Sequence, residues 1–278
     1  VNFIKGLLRV EKVLVFGMTS GYGGVESFIM NYYRHIDRTQ LQFDFLVYNQ
    51  EPAYADEIRK LGGRIFVIPG RKKNPFACKK NIMRILSQTP YCAVWSNLCY
   101  MSDMIALQCA KRIGVPRRII HAHNSVNMSG KINGWLHNRN RTRIFRIATN
   151  FWACSKAAGE YFYPVSILES DRFQVLPNAI EVDRYAFNKE IRVQKRQEMG
   201  LQGQLVVGNV GRLHFQKNQK FLLDIFAQLH KRRPNSTLLI AGEGELRPEL
   251  EQKIEELQLK DSVRLLGNRS DIAELMQA

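Results

Sequence analysis

The sequence predicts an α/β protein in which two domains each carry a sheet of parallel strands. Short β-branched or aromatic runs alternate with helical-period segments along the chain, a pattern typical of βαβ units. The length of 278 residues favours two domains over one. The alternation also stops after Pro177 and restarts near residue 204. We therefore expect a boundary between residues 178 and 190, and we divide the chain into domains 1–185 and 186–278.

The first domain is expected to hold seven strands joined by six helices. Apolar runs bounded by turn residues predict the strands, which cover residues 12–16, 42–48, 64–68, 92–96, 118–122, 150–154 and 173–176. Helices are predicted to begin near residues 25, 53, 74, 101, 133 and 155. The strands that a helix separates should therefore lie parallel to each other.

The second domain repeats this pattern on a smaller scale. Its predicted strands cover residues 204–210, 236–241 and 263–266, and its helices begin near residues 217, 246 and 270. In an open parallel sheet, ligands bind outside the carboxyl ends of the strands. The residues directly after each strand are therefore the candidates for chemistry.

The composition excludes several classes of protein. Hydrophobic residues make up 45% and charged residues 24% of the chain, which excludes disordered, collagen-like and low-complexity proteins. No apolar run approaches the ~18 residues that span a bilayer, and the apolar stretch at the N-terminus is too short for a signal peptide. We therefore expect a cytoplasmic protein whose five cysteines, which lack metal-binding spacing, are reduced.

The chain is strongly basic, and the basic excess is uneven. The formal net charge is +16, and most of this excess lies in residues 1–185. No acidic residue occurs between Asp103 and Glu160, although ten lysines and arginines do. This excess of positive charge indicates a partner or substrate that carries phosphates. The alternative is a basic surface that is only solvated by water.

A glycine-rich loop follows the first predicted strand, with the sequence GMTSGYGGVE at residues 17–26. Gly23 and Gly24 would let the backbone approach a phosphate or sugar, and the N-terminus of the next helix favours anions. The loop lacks the third glycine of the dinucleotide fingerprint and the Gly-Lys-Ser/Thr of a Walker A loop. It is therefore either a phosphate-binding or sugar-binding loop or an ordinary strand-to-helix turn.

Two histidines end the fifth predicted strand, in the segment IHAHNS at residues 120–125. Strand alternation places His121 and His123 on one side of the chain. The nearest acidic residues are Asp103 and Glu160, so no carboxylate is at hand to complete a metal site. We expect a functional role for His123, with a structural histidine as the alternative.

Glycines and cations follow the strands of the second domain. The segment VGNVGRLHFQKN at residues 207–218 contains Gly211, Arg212 and Lys217, and the segment LIAGEGE at residues 239–245 contains Gly242. A pair of cations where a parallel sheet opens to ligand can hold a diphosphate and neutralise its charge as it leaves. The sequence therefore predicts a diphosphate site here that needs no metal.

Together with LPNAI at residues 176–180 and LGNRSD at residues 266–271, these segments resemble the family 4 glycosyltransferases of GT-B architecture. The resemblance runs from residue 12 to the last residue, in the order that the family shows. It implies two Rossmann-like domains, an acceptor-side first domain and a nucleotide-sugar donor domain that is incomplete in this chain.

The resemblance implies a retaining hexosyltransferase that uses a nucleotide sugar, with UDP or GDP as the carrier, and no bound metal or further cofactor. The acceptor would be a polysaccharide or lipid-linked saccharide of the cell envelope. His123, Arg212 and Lys217 would be the catalytic residues. Four glycines, with Arg212 and Lys217, would form the donor-binding set: Gly23, Gly24, Gly211 and Gly242.

The chain departs from the family in one motif, a pair of glutamates separated by seven residues beyond the segment that ends at Ala278. Glu190 with Glu198, and Glu243 with Glu251, have this spacing by coincidence. We therefore expect a chain truncated in its donor domain, whose activity in this form is in doubt. Three alternatives stay open: a sugar-nucleotide 2-epimerase on the same scaffold, a non-catalytic binding remnant, and a basic nucleic-acid-binding protein, although we expect no nucleic-acid partner.

Two basic segments also carry apolar side chains. Lysines and an arginine at residues 71–73 and 79–80 flank Pro75 and Phe76, and four arginines at residues 139–146 lie near Trp135. Neither segment forms a clean amphipathic stripe. We therefore expect surface contact with an anionic membrane at its inner face rather than deep insertion, with simple solvation as the alternative.

Overall fold

The computed structural model describes residues 10–126 and 130–278. The chain divides into two compact units, of which unit 1 ends at Ile180 and unit 2 begins at Glu181. All named strands of both units pair in parallel. The predicted α/β class with two parallel sheets is confirmed.

Unit 1 contains a seven-stranded sheet in the order β3-β2-β1-β4-β5-β6-β7. Its strands are β1 (Glu11–Phe16), β2 (Leu41–Tyr48), β3 (Ile65–Ile68), β4 (Ala93–Leu98), β5 (Arg117–Ala122), β6 (Asn150–Ala153) and β7 (Phe173–Val175). The strand order reverses between β1 and β4. Parallel sheets bind their ligands at such a switch point, which directs attention to the loops after these two strands.

Helices cover both faces of this sheet: α1 (Gly24–His35), α2 (Ala55–Lys60), α3 (Pro75–Gln88), α4 (Ile105–Ile113), α5 (Gly130–Arg141), α6 (Lys156–Phe162) and α7 (Val165–Leu168). Successive side chains of β1 point to opposite faces, so Val13 and Val15 join one buried cluster and Leu14 and Phe16 the other. The sheet is therefore buried between two apolar cores and forms a rigid platform.

Unit 2 has a three-stranded sheet in the order β10-β9-β8. Its strands are β8 (Leu205–Val210), β9 (Ser236–Ala241) and β10 (Val263–Gly267), and its helices are α8 (Lys189–Glu198), α9 (Gln219–Arg232), α10 (Arg247–Glu256) and α11 (Ile272–Leu275). Leu223 and Phe226 of α9 pack with Leu238 and Ile240 of β9 and with Leu250 of α10. The single core lies around β9, whose six residues are all buried.

The predicted strands end within two residues of the observed ones, but strand β4 is longer than predicted, and helices α7 and α8 were not predicted. Strand β4 continues through Asn97 and Leu98, because these residues pair with β5 in register. Helix α8 begins at Lys189, in the segment between Pro177 and residue 204 for which no strand or helix was predicted. Asn188 caps this helix by accepting a hydrogen bond from the amide of Ile191 at 3.0 Å.

No helix in residues 10–126 and 130–278 is long and apolar enough to cross a membrane. All five cysteines are free; Cys78 and Cys109 are buried, and the other three are partly exposed.

A buried carboxylate ties β2 to β3 and to the start of β4. Asp44 is fully buried, and its Oδ2 accepts hydrogen bonds from Arg64 Nη2 at 2.5 Å and from the Tyr91 hydroxyl at 2.8 Å. The Asp44 carboxylate raises the pKa of Arg64, and burial raises that of Tyr91. Removing the carboxylate would leave Tyr91 without this acceptor and Arg64 with a hydrogen bond to the Thr89 hydroxyl at 3.2 Å.

We expect Asp44→Ala to lower the free energy of unfolding by about 2 to 3 kcal/mol, because Arg64 and Tyr91 lose their hydrogen bonds to a buried carboxylate. Urea denaturation measures this change. Glu51→Ala, which breaks an exposed ion pair with Arg59, is the control and should cost less than about 1 kcal/mol. Equal effects of the two substitutions would contradict a special role for Asp44.

Candidate active site

The carboxyl ends of β1, β4 and β5 lie side by side. Gly17, the first residue after β1, is in direct contact with the main chain of β4. Gly17 has a φ of +118°, and a Cβ at this position would lie 2.0 Å from the main-chain oxygen of Asn97. Only glycine fits such a crossing. The loop after β1 is therefore held against the end of β4.

A buried carboxylate lies inside this glycine loop. Glu26, in the first turn of α1, is only 4% exposed and accepts hydrogen bonds from the Thr19 amide at 2.8 Å and the Thr19 hydroxyl at 2.7 Å. Gly23 caps α1 from an extended conformation, and Gly24 is the first helical residue. A Cβ at Gly23 would lie 2.5 Å from the second oxygen of Glu26. The predicted anion-binding end of α1 therefore already carries a negative side chain.

The two histidines lie on the same side of β5, with ring centroids 4.3 Å apart. His123 lies just beyond the strand, and its Nε2 is 3.0 Å from Oδ1 of Asn97. Phe28 of α1 packs edge-on against both imidazole rings. Helix α1 and the ends of β4 and β5 therefore meet at this pair.

Burial lowers the pKa of His123 to about 4. Burial, with a smaller effect of His123, lowers the pKa of His121 to about 3. His121 is fully buried against Trp95, and neither of its ring nitrogens has a partner among the described residues. Both imidazoles are therefore neutral at pH 7.

In unit 2, the loops after β8 and β9 are in main-chain contact. Gly242 has a φ of +138°, and a Cβ there would lie 2.1 Å from the carbonyl oxygen of Gly211. The Gly211 amide donates to the carbonyl of Ala241 at 2.9 Å, and the Gly242 amide donates to that of Gly267 at 2.8 Å. The two predicted glycines therefore hold three strand ends together.

The predicted cations lie on these loops. Lys217, which ends the 3₁₀ turn Phe215–Lys217, packs its stem over Gly211, since a Cβ there would lie 3.1 Å from Cε of the lysine. Arg212 is exposed, and its Nη2 contacts Glu245 Oε2 at 2.8 Å. The buried amide of Gln219 donates to the Arg212 carbonyl at 3.0 Å, which fixes the loop from the start of α9.

The sequence-predicted residues therefore form two groups. Unit 1 carries Gly23, Gly24 and His123, and unit 2 carries Gly211, Arg212, Lys217 and Gly242. The side chains in contact with them that were not predicted include three polar ones: Glu26, Asn97 and Glu245. The sequence does carry a signal for Asn97, because the polar pair Ser96 and Asn97 follows the apolar run of β4 near its carboxyl end. The contact of Glu245 with Arg212 joins residues 33 positions apart and has no such signal.

Three of the four glutamates with this seven-residue spacing form ion pairs with a neighbouring lysine or arginine. Glu243 and Glu251 both form ion pairs with Arg247, at 2.6 and 2.9 Å. Glu198 pairs with Lys195 at 2.7 Å. Within the part of the chain that the structure describes, no three His, Cys, Asp or Glu side chains form a group that could hold a metal.

The two units match two family descriptions. Residues 22–184 match Glycosyltransferase Family 4, and residues 191–278 match Glycosyl transferases group 1. The chain is 34% identical over 264 residues to the putative glycosyltransferase EpsF of Bacillus subtilis, covering 92% of this chain and 68% of EpsF. Over 65 residues, 23% of this chain and 18% of the relative, it is 42% identical to the amylovoran biosynthesis glycosyltransferase AmsD of Erwinia amylovora.

Solved structures share the fold. HepE of Anabaena, in complex with UDP and glucose, superposes with a TM-score of 0.74 at 20% identity, covering 95% of this chain and 71% of that one. The UDP-GlcNAc 2-epimerase of Neisseria meningitidis, bound to UDP-GlcNAc, superposes with a TM-score of 0.60 at 13% identity, covering 95% and 75%. These superpositions show a common GT-B fold.

We expect Gly242→Ala to lower the free energy of unfolding of unit 2 by about 2 kcal/mol or more, because the new methyl group meets the Gly211 carbonyl at a φ that side chains rarely adopt. Thermal and urea unfolding measure the change. Gly208→Ala is the matched control on β8, since its Cβ meets no atom within 4 Å. A Gly242 variant as stable as the control would disprove the close contact.

Proposed function

The chain belongs to glycosyltransferase family 4, and from that premise we propose that it transfers a hexose from a UDP-sugar or GDP-sugar to a polysaccharide or lipid-linked acceptor, with retention of anomeric configuration. The observation that carries this proposal is the presence of two cations, Arg212 and Lys217, on the glycine loops that are joined in unit 2. The relatives' names support it, since AmsD is named for the biosynthesis of amylovoran.

The donor diphosphate would bind at Arg212 and Lys217. Arg212 pairs with Glu245 at the surface, where both side chains are more than half exposed, so a diphosphate can displace this weak ion pair. Within residues 10–126 and 130–278, the Lys217 ammonium has no ion-pair partner. The stem of Lys217 packs over Gly211, so this cation lies beside the contact between the two glycine loops. Two cations here would stabilise the leaving diphosphate without a metal.

Uridine is the base that the similar structures favour, because HepE was solved with UDP and with UDP-glucose. In unit 1, the neutral His123 would contact the reacting sugar or acceptor as a hydrogen-bond partner. Neutrality suits this role, because a charged imidazolium could not accept a hydrogen bond. For Gly23 and Gly24, binding of a phosphate stays a prediction from the sequence, and the buried Glu26 carboxylate beside Gly23 disfavours it.

We expect Arg212→Ala to weaken UDP binding roughly tenfold to a hundredfold, as the loss of a charge-assisted hydrogen bond does, and to lower transfer about a hundredfold. Isothermal titration with UDP and release of UDP from UDP-glucose measure the two effects. Arg232→Ala, at the exposed end of α9, is the control and should leave both unchanged.

Unchanged UDP affinity in the Arg212 variant would remove the donor-site assignment. The same assay separates the rival on this fold: a 2-epimerase would convert the UDP-sugar to its epimer without an acceptor, whereas a transferase needs one.

We also propose that the basic surface of unit 1 contacts an anionic membrane at the cytoplasmic face. Phe76, at the start of α3, is 87% exposed amid lysines 72, 73, 79 and 80. Trp135 and Phe145 are also exposed, and the guanidinium groups of Arg139 and Arg146 lie over their rings at 5.5 and 5.4 Å. Aromatic side chains surrounded by cations are suited to a headgroup layer.

We expect Phe76→Ser to reduce binding to phosphatidylglycerol vesicles roughly tenfold, because part of the burial energy of an aromatic ring is lost. Co-sedimentation at low and high salt measures the binding, which should weaken as salt rises. Phe187→Ser is the matched control, since that ring is exposed to a similar extent in unit 2. Equal recovery on neutral and anionic vesicles would rule out the membrane contact.

A further inference from the structure

The side chain of Asn97 joins the end of β1 to the imidazole of His123. Its Oδ1 lies 3.0 Å from His123 Nε2, and its Nδ2 donates to the carbonyl of Phe16 in a long hydrogen bond of 3.5 Å. We propose that Asn97 is a positioning residue, which fixes the tautomer and orientation of His123 for sugar transfer. This inference rests on the proposed function of His123.

The contacts of Asn97 determine which way its amide group points. The Phe16 carbonyl can only accept a hydrogen bond, so the amide nitrogen of Asn97 must face it. The amide oxygen then faces His123. Because this oxygen can also only accept, Nε2 of His123 carries the hydrogen and donates it. The proton on Nε2 leaves Nδ1 with a free lone pair.

The main chain keeps Asn97 in place. Asn97 is 2% exposed, it pairs with His121 in the β4–β5 register, and Gly17 packs against its carbonyl oxygen. The His123 amide donates to the carbonyl of Leu98 at 3.0 Å, so the backbone of the histidine is tied to the same strand. The His123 ring and the Asn97 amide are therefore both held by the main chain of β4, which keeps the geometry of their contact fixed.

The second nitrogen of His123 is available to a ligand. No residue among 10–126 and 130–278 hydrogen-bonds to Nδ1, and the ring is packed against Phe28 and His121. A hydroxyl of the sugar or acceptor can therefore donate to Nδ1. Without the Asn97 contact, the proton of the imidazole could lie on either nitrogen. In a fraction of the molecules Nδ1 would then carry the proton and could not accept a hydrogen bond.

The titratable groups near these strand ends make an electrostatic test possible. His121 on β5 interacts with His123, whereas Glu26 on α1 and Cys154 after β6 interact with Cys99 after β4. No carboxylate in the described residues hydrogen-bonds to His123. An aspartate at position 97 would therefore place a negative charge directly on Nε2, favour the imidazolium and raise the pKa of His123.

The experiment compares Asn97→Asp, Asn97→Ala and Asn150→Asp in the full chain. Asn150→Asp is the matched control, because it makes the same change at the first residue of β6, at the amino ends of the strands, whereas His123 lies beyond the carboxyl end of β5. Imidazole ¹⁵N NMR gives the tautomer and ionisation of His123 without any need for turnover. The pH dependence of sugar transfer from UDP-glucose gives the functional readout.

We expect Asn97→Asp to move the ionisation midpoint of His123, and the acid limb of transfer, upward by about 1 to 3 pH units. Asn97→Ala should mix the two tautomers and lower kcat on the order of tenfold to a hundredfold, with little change in KM for the donor. The control should leave both the NMR signals and the pH profile unchanged.

Unchanged tautomer and ionisation of His123 in Asn97→Ala would overturn the proposal, even if the aspartate variant fails to fold. The proposed function fails separately: if Asn97 variants shift the His123 signals while His123→Ala transfers sugar at the normal rate, the positioning contact is real and the role of His123 in transfer is wrong.

Discussion

Main-chain contact at the carboxyl edge of each sheet is the constraint on which both groups of candidate residues depend. In unit 1, the chain at Gly17 presses on the carbonyl oxygen of Asn97, and in unit 2, Gly242 presses on that of Gly211. Any side chain at these crossings would collide with backbone. The histidine, the arginine and the lysine are attached to loops whose path these contacts set, so the geometry of the chemistry follows from the packing of the backbone.

The two groups differ in their electrostatics. Around His123 the chain is buried and aromatic, and the imidazole is neutral although unit 1 holds most of the basic excess. The cations of unit 1 lie instead on exposed surfaces such as the start of α3. In unit 2, Arg212 is exposed and holds only a surface ion pair. A neutral hydrogen-bonding group and an exposed cation would suit different parts of the proposed nucleotide-sugar donor, the hexose and the diphosphate.

Periodicity predicted the strands well, because parallel strands buried on both faces read as short apolar runs between turn residues. It missed α8, since this helix buries no residue and shows no apolar stripe; Arg192 and Arg196 instead bind main-chain carbonyls near Ala278. The ordered glycine and cation motifs identified the candidate residues. Asn97 and Glu245 were not identified. The polar residues near the end of β4 are visible in the sequence, but the contacts of Asn97 with His123 and of Glu245 with Arg212 join residues 26 and 33 positions apart.

Amide chemical-shift mapping with UDP tests the central claim most directly, namely that the joined loops of unit 2 hold the donor diphosphate. In the ¹⁵N-labelled chain, we predict saturable shifts that are largest at Gly211, Arg212, Gly242 and Lys217, with the amides of α3 and α5 unaffected. Saturable shifts confined to unit 1, or no saturable shift at the β8 and β9 loops, would contradict the account.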